Sequence, residues 1–75
     1  MADLDSIILA IIKDADHPLS VKEVHKAIND EYGFDCSYHR AHDRLMSLVS
    51  HRYLDAEKTK KPMGGYLRTF SLVTT

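Results

Sequence analysis

The chain has a single cysteine, Cys36, in 75 residues. No internal disulfide is possible, so packing alone must hold the fold, and a reducing cytoplasmic compartment is the expectation. Tryptophan is absent, and proline and glycine number only two and three. That excludes collagen-like and low-complexity classes. The longest apolar run, Ile7 to Ile12, is far too short to span a bilayer. It follows Asp3 and Asp5 rather than the basic start of a secretory signal. The three glycines do not form a P-loop or a dinucleotide fingerprint, and Gly-x-Ser-x-Gly is also missing. With so small a core there is little room for a water-excluding pocket, so no enzymatic activity and no cofactor are expected.

Net charge is also lacking: ten Lys and Arg stand against eleven Asp and Glu. The distribution is uneven, however. Residues 1–36 hold Lys13, Lys22 and Lys26 against eight acids, a balance of −5. Residues 37–75 hold seven Lys and Arg against Asp43, Asp55 and Glu57, a balance of +4. His39, His42 and His51 lie in the same basic half. Such a dipolar chain can orient towards a polyanion even near zero net charge. Chance clustering on solvated faces is the competing reading.

Periodicity predicts one α+β domain over residues 1–75. Leu4, Ile8, Ile11 and Ala15 recur at helical spacing, with Ile7, Leu9 and Ile12 beside them. That gives a first helix from Leu4 to Ala15, ended by His17-Pro18. Its apolar band is wide enough to suggest two buried sides. Leu4, Ile7 and Ile11 are therefore expected to form a homodimer interface. A short strand near Leu19 follows.

Ser20-x-x-Glu23 is a capping box that opens a second helix. Its stripe is Val21, Val24, Ile28 and Tyr32, and Gly33 stops it. Ser37 is the expected cap of a third helix, Tyr38 to His51. Tyr38, Ala41, Leu45, Leu48 and Val49 would face the core. A strand from Tyr53 to Lys58 follows, with Leu54 and Ala56 inward. Thr59 to Gly65 is turn chemistry. Tyr66 to Leu72 would return as a second strand with Phe70 and Leu72 in the core. The whole order is a winged helix-turn-helix with a two- to three-stranded wing.

The third helix carries the chemistry. Its outer face holds His39, Arg40, Asp43 and Ser47, with Arg44 beside them and Ser37 at the start. Arginine presents a planar fork that pairs bidentately with guanine, so Arg40 and Arg44 are the leading candidates for DNA contact. A salt bridge with Asp43 is the competing reading for both. Asp43 can accept from a cytosine amino group or orient an arginine. Ser37 can cap the helix and donate to a phosphate. Lys58, Lys60, Lys61 and Arg68 make the wing basic, suited to the phosphate backbone. A soluble hairpin tip would also carry lysine.

Cys36-x-x-His39-x-x-His42 contains zinc-ligand types. On a helix, though, His39 and His42 diverge by roughly 60°. No second cysteine is present, so no metal is expected.

The run Leu19-Ser20-Val21-Lys22-Glu23-Val24-x-x-Ala27-Ile28 resembles the second helix of penicillinase-repressor-type transcriptional regulators. Tyr38-x-x-Ala41-x-x-Arg44-Leu45-x-x-Leu48-Val49-x-x-Arg52-Tyr53-Leu54 is similar to their third helix and the approach to their wing. Tyr66-Leu67-Arg68-Thr69-Phe70-Ser71-Leu72 resembles their second wing strand. The resemblance implies a homodimeric repressor that reads operator DNA with the third helix, associated with the nucleoid. Arg52-Tyr53 stands where that family commonly has a glycine. The alternative is an adaptor that keeps the fold and grips a protein partner without DNA.

Overall fold

A computed structural model describes residues 3–73; Met1, Ala2, Thr74 and Thr75, part of the expected 1–75 domain, lie outside the described residues. Helix α1 (Leu4–Asp14) is followed by β1 (Leu19–Ser20), α2 (Val21–Asp30), α3 (Tyr38–Ser50), β2 (Leu54–Lys60) and β3 (Tyr66–Leu72). The three strands form one antiparallel sheet in the order β1-β3-β2. This is the α+β class expected, with β1 closing one edge of the wing.

Local chemistry sets the helix ends. Asp3 caps α1 by accepting from the Ser6 N–H at 2.8 Å. At the start of α2 the capping box is reciprocal. Ser20 Oγ accepts from the Glu23 N–H at 3.3 Å, and Glu23 Oε1 accepts from the Ser20 N–H at 3.0 Å. The Ser20 N–H holds the Glu23 carboxyl below the usual carboxylate range. Beyond α3, the Arg52 N–H donates to Val49 O and the Tyr53 N–H to Leu48 O, at 3.0 and 2.9 Å. That pairing is a Schellman motif, which needs a left-handed residue after the cap. Arg52 fills the position at φ 65°, the only described non-glycine residue with positive φ.

The core is continuous. Ile8, Val24, Ile28, Ala41, Leu45, Leu54 and Phe70 are almost wholly removed from solvent. Helix α1 packs against α2, α3 and β3 together. Leu4, Ile7 and Ile11, the expected dimer-interface residues, are each at most 6% exposed within the single chain. The wide apolar band of α1 meets three elements of its own chain.

Some expectations change. Helix α2 ends at Asp30, one turn before Gly33, and leaves Tyr32 exposed. Ala56 is exposed although Leu54 is buried. The core stops at the level of Leu54 and Phe70, and residues 55–68 all stand clear of it. The outer two thirds of the wing are therefore a solvated arm, positioned by the register Ala56↔Phe70 through Lys60↔Tyr66.

Candidate nucleic-acid interface

Helix α3 is aimed by contacts from α2. The His25 Nε2–H donates to Cys36 O at 2.8 Å. Asn29 brackets the same residue, donating to Cys36 O and accepting from the Cys36 N–H, each at 3.4 Å. Cys36 itself is buried, which pushes its thiol up from the usual range. The His25 ring meets Tyr38 edge-on at 5.9 Å. Ser37 then caps α3 as expected, accepting from the Arg40 N–H at 3.1 Å. These bonds fix the angle between α2 and α3 on both sides of the turn.

On the outer face of α3, His39, Arg40 and Asp43 are exposed, whereas Ser47 is half-buried. The Asp43 carboxylate lies 3.2 Å from His39 Nε2 and 3.8 Å from His42 Nδ1. Asp43 is thus shared between two imidazoles and does not pair with an arginine. Arg40 has no carboxylate within salt-bridge distance among the described residues. Its fork remains open to an external acceptor.

Arg44 behaves differently. Its Nε–H and Nη2–H donate to the two oxygens of Asp5 at 2.8 and 2.6 Å, a bidentate pair. The hydrogen bonds and the charge of Asp5 raise the guanidinium pKa above its ordinary value. The ion pair of Arg44 is thus with Asp5 and not with Asp43. Its fork is occupied in tying α3 to α1, so it fixes the pose of the helix rather than lying free on its surface.

The wing and α3 enclose a groove of about 440 Å³. Ser20, Val21 and Lys22 from the start of α2 form one wall; Tyr38 and His42 from α3 form another. Lys58, Lys61, Tyr66, Leu67 and Arg68 form the wing wall. The expected wing residues Lys58, Lys61 and Arg68 thus converge here. Lys60 lies outside the lining, on the same exposed arm. Arg68 also leans on α3, with Nη1 3.4 Å from Met46 Sδ.

Lys22, Tyr38, His42 and Tyr66 are among the lining members that sequence reasoning missed. Tyr38, which helical spacing places on the core face, is 52% exposed, and Tyr66 is 68% exposed. Two open tyrosines beside cations suit a ligand with charged oxygens and flat rings. Across the wing, Lys58 sits directly opposite Arg68. Like charges in that position are destabilising, and a bound polyanion would remove the penalty. No three His, Cys, Asp or Glu side chains converge to hold a metal among the described residues. No helix among them is long and apolar enough to cross a membrane.

No protein-family model matches the chain, and no curated protein matches it. Solved structures do. PadR of Bacillus subtilis, crystallised with operator DNA, superposes with a TM-score of 0.81 at 15% identity. The match covers 93% of this chain and 40% of PadR. A proposed transcriptional regulator from Thermoplasma acidophilum matches with a TM-score of 0.75 at 18% identity, covering 89% of this chain and 65% of that one. The chain spans only part of each of these proteins. Three helices, a three-stranded antiparallel sheet and the likeness to PadR together establish a winged helix-turn-helix fold.

Proposed function

We propose that this chain binds double-stranded DNA sequence-specifically and regulates transcription, acting as a non-enzymatic module. Helix α3 enters the major groove through Ser37, His39, Arg40 and Asp43, with Arg40 as the leading reader of guanine. The wing lies on the flanking backbone through Lys58, Lys60, Lys61 and Arg68. Arg44 and Ser47 contribute by setting and packing α3. A regulator of this kind works on the nucleoid, as the resemblance to penicillinase-repressor-type regulators also implies. A palindromic operator would recruit two copies, each reading one half-site.

The observation that carries this reading is the unneutralised cation set. Arg40 has no ion pair among the described residues, and Lys58 faces Arg68 across the wing beside a tyrosine-lined groove. The operator-bound state of the similar PadR adds support. Selection from random duplexes tests the proposal. A recurring guanine-containing motif, lost with Arg40→Ala, is expected. Recovery of unenriched sequence would refute sequence-specific reading.

The protein-adaptor reading is favoured by one feature, the net charge of −1. Salt separates the two readings. DNA binding weakens steeply as salt rises, whereas a mostly apolar docking site does not.

A further inference from the structure

The side of the domain formed by α1 and α2 carries a second hollow, of about 480 Å³. Ile11, Leu19 and Ala27 give it an apolar floor. Asp14, Asp30 and Glu31 stand on its rim with no ion pair among the described residues. Glu23 also borders it, already engaged by the α2 cap. Lys26 is the one cation among the lining residues. An apolar floor inside an acidic rim fits an apolar side chain flanked by cations.

The chain itself presents such a group. Met63 at the wing tip is 98% exposed. Lys60 and Lys61 precede it, both exposed. The tip is held by a tight turn, in which the Gly64 N–H donates to Lys61 O at 3.1 Å and the Lys61 N–H to Gly65 O at 3.0 Å. Met63 is thus presented at the end of a braced hairpin rather than on a loose loop. Methionine is unbranched and polarizable, and adapts well to an irregular apolar hollow. No wing residue lines the hollow, so the tip of the same chain does not fill it.

We infer that the hollow receives the wing tip of a second copy of this chain. Met63 enters the apolar floor, and Lys60 and Lys61 meet Asp30, Glu31 and Asp14. The two surfaces differ, so the contact is head-to-tail and each copy keeps one free tip and one free hollow. Association by this route is concentration-dependent and open-ended. It occupies the same lysines that the proposed DNA contact uses, so duplex DNA and the second copy compete for the tip.

The test is sedimentation velocity without DNA, from about 10 µM to about 1 mM chain at low and at raised salt. The wild type is expected to sediment faster as concentration rises, and to lose that trend in salt. Met63→Ala should weaken association about tenfold. Lys60→Glu with Lys61→Glu should abolish it, as should Asp30→Lys with Glu31→Lys. Combining both reversals in one chain should restore it, because each new charge again meets its opposite. Circular dichroism of every variant confirms the fold. A wild type that stays monomeric throughout, or a combined variant that fails to recover, overturns the inference. So does capture of an added lysine-flanked methionine peptide by a monomeric wild type, which would assign the hollow to a basic partner segment. DNA binding is scored separately, so either proposal can fail alone.

Discussion

Replacing Arg52 by glycine should stabilise the domain, although it deletes a long side chain. Arg52 occupies the left-handed position of the Schellman turn at φ 65°. For an L residue that conformation costs roughly 1–2 kcal/mol, whereas glycine adopts it freely. Against this, glycine gains freedom in the unfolded chain, worth roughly 0.4–1 kcal/mol. The net effect is a gain of about 0.5–1 kcal/mol. A domain of this size shifts by about 4–8 °C per kcal/mol, so the melting temperature should rise by about 2–8 °C. Thermal and urea denaturation measure this, with an unchanged urea m-value as the check on two-state behaviour. Arg52→Ala is the control, because it removes the guanidinium but keeps Cβ. It should leave stability nearly unchanged. A fall in melting temperature for Arg52→Gly would refute the reasoning, since it would show the residue pays no conformational penalty there.

Further outcomes follow from the site and the caps. Changing Lys58, Lys60 and Lys61 to alanine should flatten the salt dependence of DNA binding. Each lost phosphate contact removes about 0.9 from the slope of log K against log salt, up to about 2.7 for all three. Arg44→Ala should lower stability in urea melts by uncoupling α3 from α1, whereas Arg40→Ala should not. Equal stability of the two variants would contradict the roles assigned to them. Ser20→Ala should cost about 1 kcal/mol through loss of the α2 cap. The Glu23 carboxyl is held below its ordinary 4.5 by the Ser20 N–H. Its stabilisation is therefore complete above that value and lost as pH falls through the lower, folded one. Stability from pH 7 to the acid limb should accordingly fall more in the wild type than in Glu23→Gln, as measured by thermal melts across pH.

What could be read from the sequence was mostly local. Ser20 and Glu23 announce their helix because the two bonds span only three residues. Ser37 does the same for α3. The strand register was accessible at Leu54 and Phe70, where alternation meets the core. It misled at Ala56, because alternation gives the side of a strand but not where the core ends. Tyr38 was misplaced for a related reason: it shares the angular face of Ala41 and Leu45 but lies at the mouth of the groove. The Asp5–Arg44 pair joins positions 39 apart, a distance that no spacing rule covers. The role of Arg44 was legible only once α1 and α3 were placed side by side. Likewise, a wide apolar band on α1 is compatible with two partners or with three neighbours in one chain. In the structure α2, α3 and β3 all pack against it.

The most direct test of the account is a fluorescence anisotropy titration of mixed genomic duplexes at about 50 and about 200 mM salt. Wild type and Arg40→Ala are compared, with Arg44 left intact so that the fold is undisturbed. The account predicts binding that weakens steeply with salt and a marked loss of affinity in Arg40→Ala at equal stability. Absence of binding by the wild type at the lower salt, or equal binding by Arg40→Ala, would contradict α3 as the reading element.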